Sequence, residues 1–336
     1  MANDDLSSYE IMLKKGEYKE LIKAFDSLDS NSFTPEHYQL YISSLLNLDL
    51  DDAEEAAELA IAKYNDNADM YLLHASVMGE QAQDSIFSAL GYAEKALLSL
   101  EKASELKPDN PKYLQGLMSF HLMAPSIAGG DTDTAFTLAK TISSLDELKG
   151  IFAFTDYYYS IDEEQKAYTY IEQGIQKFPN EIGLYTQLAS LYVRDEKLEK
   201  AIEVYLRATL ININKPDVSE PSHEDLIEKY ERDLYMLYNS HYQIGRIALA
   251  SKTRNIEGIE NLNEYIALYQ SSTINLLGLP STDWAYLRKA GLLFANNQVN
   301  DAHKALEKIS NIEKGPMEQT FKKLNKKVKR ALKRQS

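Results

Sequence analysis

The chain lacks cysteine altogether and is poor in glycine, proline and tryptophan, with 14, 9 and 1 of these among 336 residues. Without cysteine there can be no disulfide framework, thiol catalysis or thiolate metal site, although a cysteine-free chain suits cytosol and periplasm equally. No run of 18 or more apolar residues occurs, so we expect no membrane span. The hydrophobic content of 44% is enough for a substantial core.

Motifs of catalysis and metal binding are also missing. The six histidines (His37, His74, His121, His223, His241, His303) are scattered, and no HxxxH or HExxH spacing joins them. His37 and His241 fall at repeat packing positions, which favours core or rim histidines over metal ligands. Neither GxSxG nor GxxxxGK[ST] occurs. We therefore expect no enzyme, no metal and no cofactor.

Positive charge is scarce except at one end. Residues 321–336 hold eight Lys/Arg and no acid, which leaves 28 Lys/Arg against 51 Asp/Glu, a net charge of −23, in the first 320 residues. This acidic body should repel nucleic acid and anionic lipid, so we expect neither a nucleic acid nor a membrane as its partner. Only the basic tail could attract a polyanion.

The first residues, MANDDLSSYE, carry acids where a secretory leader would carry basic residues and then an apolar stretch. We expect a cytoplasmic protein from the sequence as it stands. If a leader was removed from it, the expected location is periplasmic instead.

What the chain does contain is a repeat of 34 residues. In residues 182–215, large apolar residues at helical spacing (Tyr185, Leu188) precede a polar turn and a second helix with small residues (Ala201, Ala208) on one face. Shifting back by 34 residues gives the same pattern at Ile151 to Gly174. Copies elsewhere pair His37, Leu40 and Tyr41 with Ala53, Ala57 and Ala60; Tyr71 and Ala75 with Ala96 and Leu100; His241, Ile244 and Gly245 with Gly258; and Tyr286 and Ala290 with Ala302 and Leu306.

This period and this alternation of small and large residues resemble tetratricopeptide (TPR) repeats over almost the whole chain. The resemblance implies an all-α fold, a TPR-type α-α solenoid that forms a right-handed superhelix of antiparallel helix pairs. On the 34-residue spacing we expect about eight pairs plus a C-terminal capping helix.

Breaks in the spacing predict the organisation of one solenoid over residues 1–336. Repeats at 1–215 should be followed by a loop and bend at 211–224, a second set of repeats at 225–315 and a basic capping helix at 316–334. Ser222 and Asp225 resemble a capping box for a long helix reaching Ala248. A nine-residue excess between Ala75 and Ala96 should form an ordered helical extension, with Ile86, Phe87 and Leu90 packed locally. Thr282 or Asp283 should cap the last pair.

The segment HLMAPSIAGGD at residues 121–131 holds two adjacent glycines. Pro125 cannot continue the preceding helix, the glycines permit a reversal, and Asp131 or Thr132 can cap the next helix. The sequence therefore predicts an inter-helix elbow. The alternative is an anion site formed by the amides of Gly129, Gly130 and Asp131 at a helix N-terminus.

This elbow, the segment EQAQDSIFSALGYAEKAL, the proline-ended unit ASELKPDNPKY, and YQIGRIALA and DWAYLRKAGLL later in the chain together resemble a bacterial group of TPR proteins of undefined function. In TPR repeats, fixed positions on the first helix of each pair line the concave face. The resemblance therefore implies these groove residues: Lys112, Gln115, Ser119, Phe152, Asp156, Tyr159, Thr186, Ser190, Arg194, Asn239, Tyr242 and Arg246.

Aromatic residues and arginine are typical of binding hot spots, so we expect a protein-protein interaction scaffold that binds a peptide or protein segment in its concave groove. An ordinary inner face of mixed composition would have the same appearance. Chaperone-binding relatives clamp a C-terminal carboxylate with lysine and asparagine, where this chain has Thr186 and Ser190, so we expect no chaperone tail. The alternative function is binding of an anionic surface, nucleic acid or lipid, by the basic C-terminal helix.

Overall fold

The structure is a computed structural model that describes residues 2–85, 87–217 and 224–335. Those residues are helical apart from turns and connections, and no strand occurs among them. Within the same ranges, none of the helices combines the length and apolar character needed to cross a bilayer. The chain divides into two compact units, Met1–Gly174 and Ile175–Ser336.

Ten α-helices begin in the described part of the first unit. They are α1 (Ala2–Lys14), α2 (Tyr18–Asp26), α3 (Pro35–Leu45), α4 (Leu50–Lys63), α5 (Ala68–Asp84), α6 (Ala89–Leu106), α7 (Pro111–Met123), α8 (Thr132–Leu145), α9 (Glu147–Ser160) and α10 (Glu164–Lys177). The unit boundary falls within α10.

Seven helices follow in the described part of the second unit. They are α11 (Ile182–Arg194), α12 (Leu198–Ala208), α13 (Glu224–Ser251), α14 (Asn255–Ser271), α15 (Thr282–Ala295), α16 (Val299–Glu307) and α17 (Pro316–Gln335).

Consecutive helices pack as hairpins. The first and second helix of each pair contact one another in α1–α2, α3–α4, α5–α6, α7–α8, α11–α12, α13–α14 and α15–α16. In α9–α10 the contact includes the stacked rings of Phe154 and Tyr170, whose centroids lie 5.2 Å apart. The described residues thus form eight hairpins and a further helix, α17. This confirms the all-α, TPR-type solenoid that the 34-residue spacing predicts.

Small residues at the predicted positions allow the helices of a hairpin to approach closely. Ala53, Ala57 and Ala60 of α4 are fully buried, as are Ala201 and Ala208 of α12. A close approach occurs between α13 and α14, where a Cβ on Gly245 would lie only 2.3 Å from Leu262 Cγ. A Cβ on Gly258 would lie 2.8 Å from Ala248 Cβ. The predicted pairing of Gly245 with Gly258 is confirmed.

The predicted insert between Ala75 and Ala96 is absorbed by lengthening both helices of one hairpin. Helix α5 has 17 residues and α6 has 18, so the expected helical extension is present. Its expected local packing is wrong for two of the three apolar residues, since Phe87 is 100% exposed and Leu90 is 51% exposed. Ile86 lies outside the described residues. The extension therefore presents apolar side chains to solvent instead of burying them.

Helix α12 ends at Ala208 and α13 begins at Glu224, and the boundary between the compact units does not lie between these two helices. A bend at residues 211–224 stays a prediction. The predicted cap residue Ser222 lies outside the described residues. The long helix itself is confirmed, because α13 runs from Glu224 to Ser251.

The capping residue predicted for α15 is wrong. The N-cap is Ser281, and its side chain makes no capping hydrogen bond. Asp283 is buried and instead accepts hydrogen bonds from the backbone amides of Ser310 and Asn311, at 2.8 and 3.1 Å. The carboxylate thereby ties the start of α15 to the segment after α16.

Candidate functional site

The glycine pair forms the predicted elbow between α7 and α8. Gly129 adopts φ +94°, in the left-handed region that favours glycine. A Cβ on Gly130 would lie 1.8 Å from the carbonyl oxygen of Ala124, so only glycine fits there. Asp131 caps α8, accepting from the amide of Asp133 at 3.0 Å and from the hydroxyl of Thr134 at 2.6 Å.

The alternative interpretation of this loop as an anion site is wrong. The amides of Gly129, Gly130 and Asp131 donate to the carbonyl oxygens of Ser126, Pro125 and His121, at 3.1, 3.2 and 3.2 Å. The imidazole Nδ1 of His121 lies 3.1 Å from the Gly129 carbonyl oxygen. Since all three amides are already bonded within the loop, none is free for a ligand.

Beside the elbow lies an apolar groove of about 520 Å³, within the usual size range of ligand sites. Helices α5, α6 and α7 and the start of the elbow line it. The lining residues are Leu72, Ala75, Ser76, Gly79, Ala82, Gln83, Ala89, Leu90, Ala93, Ala96, Leu100, Gly116, Ser119, Phe120, Met123, Ala124, Pro125 and Ala128. We refer to this set as the apolar groove; none of its residues is charged.

The residues predicted to line the concave face of the first unit have surroundings that differ from one another. Of the three on α7, Ser119 lines the apolar groove, whereas Lys112 forms an ion pair with Asp69 of α5 and Gln115 is half-buried outside the groove lining. On α9, Phe152 and Tyr159 are half-buried and Asp156 is exposed.

The second unit contains a polar pocket of about 450 Å³ between α13, α15 and the segment that precedes α15. Its lining residues are Tyr242, Gln243, Arg246, Gly278, Leu279, Pro280, Ser281, Trp284, Arg288 and Glu313. We refer to this set as the arginine pocket. It unites two of the predicted groove residues, Tyr242 and Arg246, with residues that follow much later in the chain.

Neighbouring side chains hold the two guanidinium groups of the arginine pocket in place. Arg288 Nε donates to the Tyr242 hydroxyl at 2.6 Å, and its guanidinium carbon lies 5.3 Å from the ring centroids of both Tyr242 and Trp284. Arg246 Nε donates to the Gln243 side-chain oxygen, one turn earlier on α13. In both arginines the Nε is occupied by these bonds, and both residues line the pocket.

Neither arginine forms an ion pair with a carboxylate among the residues that the structure describes. Arg254, in the same unit, shows the contrast: its guanidinium contacts Glu199, Glu203 and Glu257 at 2.9–3.2 Å. The one acid that lines the arginine pocket, Glu313, accepts a hydrogen bond from Trp284 Nε1 at 3.1 Å. Two cations and one anion therefore line a pocket in a chain whose net charge is −15.

The prediction that Tyr242 is an accessible groove residue is wrong. Its side chain is 2% exposed, and its ring packs 5.1 Å from the ring of Tyr265. Burial raises the pKa of the Tyr242 phenol, while the nearby Arg288 and Arg246 act in the opposite direction. Tyr242 is thus a core residue whose hydroxyl positions Arg288.

The other predicted residues of this unit do not line the arginine pocket. Thr186 donates to the carbonyl of Gly183 at 3.0 Å and lies against Met236. Asn239 accepts from Gln243 at 3.1 Å, so it supports a pocket residue without lining the pocket. Arg194 and Ser190 are exposed at the end of α11. Arg194 therefore does not line the pocket that contains Arg246.

Eight of the ten residues that line the arginine pocket were not predicted, among them Gln243, Trp284 and Arg288. A signal for two of them existed. Tyr286 and Ala290 identify α15 as the first helix of a pair, and Trp284 and Arg288 flank these packing positions on the same helix. Gln243 gave no such signal, because its role is to bond a neighbour on its own helix.

Two histidines on first helices of hairpins, His74 and His241, are held by hydrogen bonds, and His223 lies outside the described residues. His74 Nδ1 lies 2.8 Å from the Ser99 hydroxyl, and His241 Nδ1 lies 2.8 Å from the side-chain oxygen of Asn261. Burial lowers the pKa of both imidazoles. In the described ranges, no group of three or more His, Asp or Glu side chains is arranged to hold a metal ion.

Comparison with protein-family models and with curated proteins found no match for this chain. Among solved structures, yeast Tom70 is similar over 90% of this chain, with 15% identity and a TM-score of 0.47; the match spans 61% of the Tom70 chain. A tetratricopeptide repeat protein from Parabacteroides merdae is similar over 86% of this chain and 98% of its own, with 14% identity and a TM-score of 0.45. The fold assignment made above rests on the helix pairs of the chain itself.

Proposed function

We propose that this protein is a non-enzymatic protein-protein interaction scaffold, and that the arginine pocket holds a carboxylate-bearing segment of the partner. The observation that carries the proposal is the pair of guanidinium groups, Arg246 and Arg288, that line one pocket without carboxylate partners among the described residues. In so acidic a chain, cations left without an acid are available for an acid from outside.

The chemistry of the pocket suits a carboxylate on a peptide. Arginine forms two parallel hydrogen bonds to a carboxylate, and charge-assisted bonds of this kind are stronger than neutral ones. Trp284, Leu279 and Pro280 supply apolar walls for the hydrocarbon part of the segment. The buried Ser281 hydroxyl, which has no hydrogen-bond partner in the described structure, provides a further polar group.

The predicted groove residues outside the pocket stay candidates for additional contacts with protein partners, each within its own unit. These are Lys112, Gln115, Phe152, Asp156 and Tyr159 in the first unit, and Thr186, Arg194 and Asn239 in the second.

The only tryptophan of the chain, Trp284, lies in the arginine pocket and reports directly on its occupancy. We would titrate the full-length protein with acidic hexapeptides that carry a free C-terminal carboxylate, and with neutral peptides amidated at that end. The acidic peptides should change the Trp284 emission saturably, and the neutral peptides should not. Arg246→Gln and Arg288→Gln should each weaken binding by about tenfold or more, since a bond to a charged group contributes about 1.5–3 kcal/mol.

Arg232→Gln provides the matched control. Arg232 is exposed on α13, the helix that carries Arg246, and it does not line the pocket. Its substitution removes the same charge and should leave peptide affinity unchanged. Equal weakening by all three substitutions would mean that only the overall charge matters, and no response of Trp284 to any acidic peptide would reject the pocket as the site.

A second candidate function is supported by the basic face of α17. Lys322, Lys326, Lys329, Arg330 and Lys333 recur at helical spacing and line one shallow groove of about 370 Å³ together with Phe321 and Asn325. This face could bind a polyanion, either nucleic acid or anionic lipid.

Salt dependence separates the two candidates. Binding through several lysines to a polyanion weakens steeply as salt rises, because counterions are released on binding. Capture of a short carboxylate segment should depend on salt only weakly. We would measure affinity for duplex DNA and for phosphatidylserine vesicles from 50 to 300 mM salt, a range of about sixfold in ionic strength over which screening changes markedly.

A further inference from the structure

We propose that the apolar groove of the first unit is a docking site for a partner's amphipathic helix with basic flanks. The site lies in a different unit from the arginine pocket and takes the opposite charge, so the inference does not rest on the carboxylate proposal. It rests on the geometry of the lengthened α5–α6 hairpin, on the size of the residues that form the groove floor and on the local charge.

The groove exists because α5 extends beyond its neighbour α7. The two helices start together: Lys112 at the beginning of α7 forms an ion pair with Asp69 at the beginning of α5. From these residues α7 continues for 11 positions to Met123, whereas α5 continues for 15 to Asp84. The difference of four residues is about one turn, or about 6 Å. Beyond Met123 the elbow takes the place of α7, and its short 3-10 helix, Ser126–Ala128, contacts α6.

At the end of this surface nearer Leu72, helix α7 already packs against it. Gly116 of α7 packs so closely that an added Cβ would lie 3.2 Å from Leu72 and 3.1 Å from Leu100. Further along α5, the groove floor is formed by residues smaller than Leu72: Ala75, Gly79 and Ala82. A surface of small residues at helical spacing allows close approach of a helix backbone with large side chains. The α5 lining from Leu72 to Gln83 is about 16 Å long, or about three helical turns.

Large apolar side chains at the border of the groove are left in solvent. Met123 is 83% exposed and Leu90 is about half exposed, and both line the groove. Ile127, in the elbow between the lining residues Pro125 and Ala128, is also mostly exposed. Contiguous exposed apolar surface of this kind marks interaction sites in proteins.

The charge around the groove selects a basic partner. Residues 64–94 and 113–139, which supply most of its walls, contain seven acids and no lysine or arginine. The flanking lysines are already engaged: Lys95 with Glu54 and Glu58, Lys112 with Asp69, and Lys140 over the ring of Phe136 at 4.1 Å. An apolar floor in a part of the chain that has an excess of acids complements a helix with one apolar face and lysine or arginine beside it.

The probe is a model peptide of leucine and lysine, about 18 residues long so that it can form a helix, with the leucines on one face. Two control peptides isolate the two features of the partner. One has glutamate in place of every lysine, and the other has the same composition with the leucines spread around the helix. Isothermal titration with the full-length protein should detect saturable binding of the first peptide and at least tenfold weaker binding of both controls.

Two glycines of the same hairpin provide matched variants. Neither Gly79 nor Gly91 has a neighbouring heavy atom within 4 Å of an added Cβ, so both positions have open space where a leucine side chain would begin. Gly79→Leu fills the floor of the groove and should weaken binding of the leucine-lysine peptide by about tenfold. Gly91→Leu lies on α6 outside the groove lining and should leave the affinity unchanged.

Four outcomes overturn the proposal. Equal affinity of the two leucine variants would show that the peptide binds elsewhere on the acidic surface. Equal affinity of the protein for the glutamate peptide and for the leucine-lysine peptide would show that charge does not select the partner. Saturable binding of dodecanoate, without binding of the leucine-lysine peptide, would make the groove an acyl-chain site. Sedimentation that shows dimers lost in Gly79→Leu but kept in Gly91→Leu would assign the groove to a second copy of the chain. None of these measurements reports on Trp284, so they leave the carboxylate proposal independent.

Discussion

The backbone oxygen of Ala124 and the Cα of Gly130 come so close that the elbow tolerates no side chain at that residue. We predict that Gly130→Ala destabilises the protein by about 2–3 kcal/mol, because the chain must move to admit the methyl group. Gly129→Ala should cost about 1–2 kcal/mol, since φ +94° remains accessible to alanine at a penalty. Urea denaturation measures both.

Gly91→Ala is the control for these substitutions. Gly91 lies within α6 with open space around it, so alanine should stabilise the protein by about 0.5–1 kcal/mol through helix propensity. If Gly130→Ala were as harmless as Gly91→Ala, the close approach at the elbow would be refuted.

Buried histidine gives the protein a sensitivity to mild acid. Burial lowers the pKa of His74 in the folded state below its ordinary value of 6.5, although Glu58 favours the charged form. Below that ordinary value the unfolded chain binds a proton more readily than the folded one, so stability falls as pH falls through about 6.5. It stops falling once the pH is below the folded-state pKa.

We therefore expect the free energy of unfolding to decrease between pH 7 and pH 5, and to decrease less steeply in His74→Gln. The slope against pH, and not the absolute stability, is the quantity to compare, because the substitution also alters the contact with Ser99. His241, whose pKa is lowered by burial as well, should leave a residual slope in the His74 variant. An unchanged slope would show that His74 does not contribute.

At the scale of helices, α17 packs against the last hairpin. Met317 and Val328 are fully buried among residues of α15 and α16, with Phe321, Leu324 and Leu332 beside them, while the lysines point outward. We predict that Met317→Ala costs about 2–4 kcal/mol, because it leaves a cavity at this contact. Lys326→Ala, on the exposed face of the same helix, should change stability by about 0.5 kcal/mol or less. Thermal denaturation compares the two.

The helices were predictable because a period of 34 residues determines both where they occur and which of their faces is buried. Ala53, Tyr185, Leu188 and Ala201 were chosen from spacing alone, and all are buried. The elbow was predictable because proline, glycine and a capping aspartate each act within a few residues of their position. Local rules were sufficient for these features.

The sites were less predictable, because each depends on contacts between distant parts of the chain. Tyr242 and Arg288 are 46 residues apart in the sequence, and their hydrogen bond determines how the guanidinium faces the pocket. The position rule placed Tyr242 on an open face because it could not anticipate the ring of Tyr265 packed against it. The apolar groove was missed because the helical extension was expected, but its apolar residues were expected to pack locally, whereas Phe87 and Leu90 are exposed.

At the scale of the whole molecule, the hairpins within each unit contact mainly their sequence neighbours. Arrays of this kind often unfold in more than one step, since each hairpin depends only on those beside it. Ile42 is fully buried in the first unit, and Trp284 lies in the second. We predict that Ile42→Ala shifts the first part of the unfolding transition followed by circular dichroism to lower denaturant concentration. The transition followed by tryptophan fluorescence should keep its midpoint.

The reciprocal variant, Leu188→Ala, alters a buried residue of the second unit and should shift the fluorescence transition. Circular dichroism reports all helices, whereas fluorescence reports the region around Trp284 alone. Coincident shifts of both signals in both variants would show a single cooperative transition instead.

The complete exposure of Phe87, between α5 and α6, makes this connection the natural entry point for a protease. Chymotrypsin cleaves after aromatic residues, and limited digestion should cut here before it reaches the many tyrosines that helices protect. The first products would be fragments of 87 and 249 residues. Because α5 and α6 pack against each other along their lengths, the nicked chain should elute from a sizing column as one particle and separate only under denaturing conditions.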